Sequence, residues 1–361
     1  MKVLTRTEAA LLVLVVLATG LAALGAYAHI GSILAFVFAA LALAGQAWMV
    51  SMSTEQLGER FGPGLTGTLQ STVGNLPEFF VVIFALQAGD TIVAQTALLG
   101  SILVNALLVL GLALVVGALR SPDKIMRFSP QLPNDTATLL LVASFMIVLL
   151  GLAHGAGGNA VAHATTISVV GGIAILLVYC VWLRQFLLSE RQNETQIEPP
   201  AAGPRPKPRA PLWLSIGLLV LAGGASAFTS DWFVNALEPT IHQLHISQTF
   251  AGLVIVAIAG NAVENVAAIV QAARGQADLA ISIVKSSVAQ IAAFLYPALV
   301  LVSLLLRSQL TFSMAPIFIG ALVATSILIW QITGDGEATP FEGAALMATF
   351  VTLGTVALYE S

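Results

Sequence analysis

Gly74–Phe80 reads GNLPEFF and Gly260–Val266 reads GNAVENV, and both lie inside long apolar stretches. Each sets an asparagine three residues ahead of a glutamate, Asn75 with Glu78 and Asn261 with Glu264. Residues three apart on a helix share a face, so each pair points the same way. An ionised carboxylate at the centre of a bilayer costs roughly 2.5–3.5 kcal/mol or more, so a glutamate there marks a functional site by default. Its duplication on the same pattern calls for a reading of the whole chain.

The surroundings are those of a membrane protein. Of 361 residues, 58% are hydrophobic and only 9% are charged, against about 25% in a soluble domain. Mean hydropathy is +0.94. The net charge of −4 says less than where the charges fall, and a nucleic-acid partner is not expected. One cysteine, Cys180, excludes a disulfide or a cysteine metal cluster within one chain. The start resembles a signal peptide in its basic end and apolar run, but the run is long enough to span, and an uncleaved first helix is the expectation.

Windows of about 20 apolar residues place spanning helices at 9–30, 33–53, 66–88, 92–118, 136–153, 163–188, 212–230, 248–272, 278–305, 311–332 and 341–359, eleven in all. The polar, proline-rich 189–211 reads as a mobile cytoplasmic linker. Of the 14 lysines and arginines, all but Lys285, within a span, and Arg307 then fall on one side. The positive-inside rule makes that side cytoplasmic, with the N-terminus inside and the C-terminus outside. The fold class expected is all-α: a multi-pass protein of the cytoplasmic membrane, with an N-terminal helix (1–32), a first repeat (33–188), the linker (189–211) and a second repeat (212–361). Five helices per repeat is odd, so the second repeat runs with inverted topology. LLGSILVNALLVLG (98–111) and VKSSVAQIAAFLYP (284–297) then occupy corresponding helices. Inverted repeats are the architecture of secondary transporters, with the site near the midplane.

Two carboxylates and two asparagine carbonyls offer only oxygen, which suits a hard cation such as Ca²⁺ with its 6–8 oxygen ligands. Pro77 lacks an N–H, so a helix running through it leaves the Val73 carbonyl for another partner. Ser101 with Asn105, and Ser286 or Ser287 with Gln290, add polar groups to complete the shell or to hold the carboxylates. The ordinary alternative for these asparagines and serines is hydrogen bonding between helices. Paired glutamates hold either a cation or protons, which is the physical basis of exchange; no cofactor is expected beyond transported Ca²⁺ and H⁺. Glu55 and Asp231 sit at the two mouths of such a pathway, as cation-gathering acids or as residues that simply face water. Lys285 lies about 100° around the helix from Ser286 and is expected to snorkel to the cytoplasmic interface. Glu190, Glu194 and Glu198 form a thin acidic stripe, and His154, His163, His242 and His245 read as loop residues.

The stretches 74–114 and 250–292 resemble the two signature repeats of the calcium/proton exchanger family, within the calcium/cation antiporter superfamily. STEQL (53–57) and SDWFVNALEP (230–239), ahead of each repeat, extend the resemblance over both halves. It implies Ca²⁺/H⁺ antiport with no enzymatic activity. Glu78 and Glu264 match the family's central glutamates, Asn75 and Asn261 the adjoining asparagines, and Ser101, Asn105, Ser287 and Gln290 the flanking polar positions. Asn265 stands where many members have histidine, and Leu76-Pro77 where small residues are usual. Na⁺/H⁺, K⁺/H⁺ and Na⁺/Ca²⁺ exchange on the same scaffold stay open; an intramembrane enzyme is disfavoured by the duplicated motif, and a passive channel is a further, less favoured class that currents ignoring the proton gradient would support. Assembly into a homo-oligomer is left open.

Overall fold

A computed structural model describes residues 5–28, 30–61, 74–129, 131–155, 159–196 and 211–360. The helices are α1 (Arg6–Ala28), α2 (Ser32–Phe61), α3 (Leu76–Ala88), α4 (Thr91–Arg120), α5 (Gln131–Gly155), α6 (Ala164–Gln196) and α7 (Leu212–Leu244). They continue with α8 (Gln248–Gly260), α9 (Ala262–Ala273), α10 (Ala277–Ser303), α11 (Pro316–Thr333) and α12 (Pro340–Tyr359). Among the described residues, eight helices are long and apolar enough to cross a membrane, or nine if α8 and α9 form one bent span. The shorter apolar α3 and the Thr138–Ala153 part of α5 stand where the third and fifth spans are expected. The expected start of the third span, with Val73, lies outside the described residues. The protein is thus an all-α multi-pass membrane protein. Its outer faces agree: Val16 is 69% exposed, Leu177 62% and Val351 63%, an apolar surface that only lipid suits.

The helices group into two bundles. The first takes residues up to Phe84 and Val178–Gln243, the second Ala85–Leu177 and Leu244 onward. In the first, Val15, Met49, Val50 and Ala222 form a core of α1, α2 and α7. Buried Gln46 donates to Thr19 Oγ1 at 3.1 Å and to Thr229 Oγ1 at 2.8 Å, tying the same three helices by a polar contact. Helix α7 runs to Leu244, well past the expected 230, because SDWFVNALEPTIHQL is too polar for a hydropathy window yet buries Phe233, Val234 and Leu237 along one face.

In the second bundle α12 packs on α4, α11 on α5, and α9 on both α10 and α4. Gly111 and Gly343 meet backbone to backbone where α4 crosses α12, since a Cβ on either would stand 2.6 Å from the other's carbonyl oxygen. Two groups of loop contacts mark the ends of this bundle. At one end Met126–Arg127 pairs antiparallel with Glu337–Ala338, Arg127 bonds Asp123 and Glu337, and the Ser129 amide donates to Asp278. Held by the Arg127 hydrogen bond, the exposed Asp123 carboxyl titrates below its usual range. At the other end Gln95 donates to the Thr311 and Ser313 carbonyls, and Thr165 to Gln309. Loops that share an end must be separated by an even number of crossings, and each of these pairings satisfies that under the eleven-span reading.

Candidate functional site

At both asparagines a helix starts in the same way, one residue after the asparagine. Helix α8 ends at Gly260, Asn261 adopts φ −102° and ψ 12°, and α9 restarts at Ala262 bent by 63°. Glu264 is therefore the third residue of α9. In the other segment Gly74 and Asn75 form a turn, α3 begins at Leu76, and Glu78 is again the third residue. In both, the asparagine carbonyl accepts from the amide four residues on, Phe79 or Asn265, at 2.9 Å. A helix start inside a membrane aims free amides and the positive end of the peptide dipole at whatever lies before it, and it favours negative charge in its first turn. Pro77 falls in that first turn, where no intrahelical N–H bond is lost. The proline thus starts the helix, where the sequence suggested a carbonyl freed in mid-helix.

Around Asn261 the second bundle assembles a polar cluster. Asn261 Nδ2 donates to Ser101 Oγ at 2.9 Å and to the Ala257 carbonyl at 3.0 Å. Asn105 Nδ2 donates to the Ser101 carbonyl at 2.9 Å. Ser287 Oγ donates to Glu264 Oε2 at 2.5 Å. Asn261, Ser101, Asn105 and Ser287 are all buried. Both amide hydrogens of Asn261 are committed to the protein, so contact between this side chain and a cation would run through Oδ1. Gln290 is half-buried at the end of its α-helical run, just before a π-helical segment. In the first bundle Asn75 and Glu78 are buried, and Ser230 of α7 reaches the Pro77 carbonyl at 3.4 Å. Among the described residues no three His, Cys, Asp or Glu side chains cluster as metal ligands, so the oxygens near Glu264 come from amides and hydroxyls.

Three π-helical segments flank these residues: Val104–Val109, which contains Asn105, Ala251–Val256, and Ile291–Leu295. Such widened turns are frequent at functional sites, and no residue pattern in the sequence announces them. Nor does the sequence announce the crossing of α4 and α8, where a Cβ on Gly100 would overlap the Leu253 carbonyl and one on Gly252 the Thr96 hydroxyl. Lys285 departs from expectation. It is 3% exposed, and its Nζ donates to Thr333 Oγ1 at 2.6 Å instead of reaching the interface. The reason is local: Thr333, in the last turn of α11, offers an acceptor amid Ala106, Leu110, Leu140, Val284, Val288 and Ile329. Glu55 is exposed on α2, and half-buried Asp231 on α7 lines a cavity of the first bundle.

This architecture has relatives. The family model described as sodium/calcium exchanger protein matches residues 31–188 and 214–359. The chain belongs to that family. Within this exchanger family it is 30% identical over 345 residues to the Ca(2+)/H(+) antiporter ChaA of Bacillus subtilis, covering 94% of this chain and 96% of the relative. It is 33% identical over 322 residues to the vacuolar calcium ion transporter of Schizosaccharomyces pombe, covering 87% and 76%. Among solved structures, native YfkE superposes with a TM-score of 0.80 at 26% identity, covering 97% of this exchanger-family chain and 100% of YfkE. The H+/Ca2+ exchanger CAX superposes with a TM-score of 0.74 at 15% identity over 98% and 93%, a likeness of fold alone.

Proposed function

We propose that the protein is a secondary antiporter that exchanges Ca²⁺ for H⁺ by alternating access, in a cell's cytoplasmic membrane and with its N-terminus in the cytoplasm. The observation that carries the reading is the duplicated helix start: an asparagine just ahead of a helix and a glutamate in its first turn, in a chain that matches a Ca²⁺/H⁺ antiporter over nearly all of both lengths. Glu78 and Glu264 each carry one unit of negative charge when ionised. Together they balance one Ca²⁺ or, when neutral, hold two protons. Loading with either leaves the site uncharged, and a neutral site crosses between its two exposures at lower cost than a charged one.

The other residues take supporting roles. Asn75 and Asn261 offer amide oxygens just ahead of the two helix starts, where a hard cation is satisfied by oxygen alone. Ser287 acts on Glu264 as a positioning residue, since its hydroxyl fixes one carboxylate oxygen and leaves the other to turn toward an ion. Ser101 and Asn105 hold the Asn261 side chain and the α4 turn that faces it, and Gln290 completes the polar lining. The test is flux with purified protein in sealed vesicles: an imposed pH gradient drives Ca²⁺ uptake without Na⁺. The family model's description favours one second reading, Na⁺-coupled exchange on the same scaffold. Uptake driven by a Na⁺ gradient at equal pH on both sides, with none driven by protons, would establish that instead.

A further inference from the structure

A cavity of about 450 Å³ opens in the first bundle where the end of α1, the start of α2 and the middle of α7 meet. Tyr27, Ser32, Asp231, Trp232 and Asn235 line it, and its floor is made of glycine and alanine. The floor is firm, because a Cβ on Gly25 would stand 2.9 Å from the Ala35 Cα, so the α1 and α2 backbones already touch there. The Tyr27 and Trp232 rings meet edge to face with centroids 6.0 Å apart. Ser32 is pinned by donation to Gln243 at 2.8 Å. The Asp231 carboxylate, half-buried in this wall, makes no hydrogen bond or ion pair with the described residues.

These features narrow the occupant. An anion is excluded by a lone carboxylate with no lysine or arginine in the lining. A bare Ca²⁺ needs 6–8 oxygens at 2.3–2.6 Å, and the side chains of Asp231, Asn235, Ser32 and Tyr27 together hold five. The volume lies in the range of about 300–1,000 Å³ typical of small-molecule sites, far larger than one ion requires. A cationic head on a small apolar body uses everything present: the carboxylate for its charge, the aromatic rings for cation–π contact, and the alanine floor for its carbons. We propose that this cavity binds a small alkylammonium group, held by Asp231 and by the faces of Trp232 and Tyr27. The group belongs either to a free amine or to the head of an aminophospholipid, and the proposal is independent of how the exchange site works.

The test is calorimetric titration of ethanolammonium chloride into the purified full chain in a maltoside detergent, with potassium chloride at equal ionic strength as the control. Saturable binding of one equivalent is expected, at least tenfold weaker in Asp231→Asn, several-fold weaker in Trp232→Leu and absent in Ala26→Phe, whose ring fills the cavity from an exposed position. Repeating the titration in nanodiscs of phosphatidylglycerol, with and without phosphatidylethanolamine, separates the sources. Suppression by phosphatidylethanolamine identifies the lipid head, and an unchanged titration identifies a free amine. Thermal unfolding shows which variants are folded; if Asp231→Asn is not, the other two decide. No saturable heat in wild-type protein, equal competition by potassium, or wild-type affinity in the folded variants overturns the proposal.

Discussion

Gly100→Ala perturbs the crossing of α4 and α8, on which the polar cluster depends. A Cβ built on Gly100 lies 2.6 Å from both the carbonyl carbon and the Cα of Leu253. Ordinary contact begins near 3.4 Å, so the two backbones must part by about 0.8 Å (3.4 minus 2.6). Both partners are main chain, and no rotamer change relieves the overlap. Overpacking of this kind typically costs about 1–3 kcal/mol. Ser101 is the next residue, and its 2.9 Å contact with Asn261 would lengthen to about 3.7 Å if the displacement ran along it, beyond hydrogen-bond range. The variant should therefore unfold at a lower temperature. It should also take up Ca²⁺ more slowly in proteoliposomes, because the Ser101–Asn261 contact that holds the site is weakened. Gly320→Ala is the control, since a Cβ there meets nothing within 4 Å. A Gly100→Ala protein with wild-type unfolding temperature and uptake would refute the close crossing and its role in holding the site.

Glu78→Gln and Glu264→Gln should each abolish exchange in a vesicle flux assay while gel filtration shows a folded protein, because glutamine keeps the shape and removes the charge that balances the cation. If protons and Ca²⁺ compete for the same oxygens, apparent Ca²⁺ affinity should rise with pH, and an isotope-uptake titration that is flat from mildly acidic to alkaline pH would argue for separate sites. Thr333→Val should destabilise the protein by about 1–3 kcal/mol, since it strips the buried Lys285 amine of its acceptor. Lys285→Met should be neutral or stabilising and should suppress the Thr333→Val loss in a thermal double-mutant cycle. Asp123 titrates below its ordinary value of about 3.9, so its hydrogen bond with Arg127 contributes above that pH and is lost as pH falls through the lower folded value. The thermal stabilities of wild type and Asp123→Asn should accordingly converge at strongly acid pH, by an amount kept small by full solvent exposure.

Most of the helices were legible because hydropathy alone decides what can cross a bilayer, and every span from 92–118 onward found a helix at its place. The polar half of α7 was not, because its burial comes from one face of a helix whose composition averages to neutral. The break at Asn261 was half legible. The motif marked the place, but a 63° bend depends on packing against α10 and α4 that no window senses. The Glu264–Ser287 contact joins two residues that the sequence singles out, but the contact itself depends on the phase of α10 relative to α9, which no window senses. Lys285 was misjudged because its acceptor, Thr333, lies 48 residues away on another helix. Snorkelling is the expected outcome only where no such partner is in reach.

The most direct test of the central claim is Ca²⁺ uptake by purified protein in tight, Na⁺-free proteoliposomes across an imposed pH gradient, with internal pH followed at the same time. The account predicts Ca²⁺ entry coupled to proton movement in the opposite direction, at two protons per ion if the two glutamates alone carry them, and neither flux in Glu264→Gln. Ca²⁺ movement that ignores the proton gradient, or coupled exchange that persists in Glu264→Gln, would contradict it.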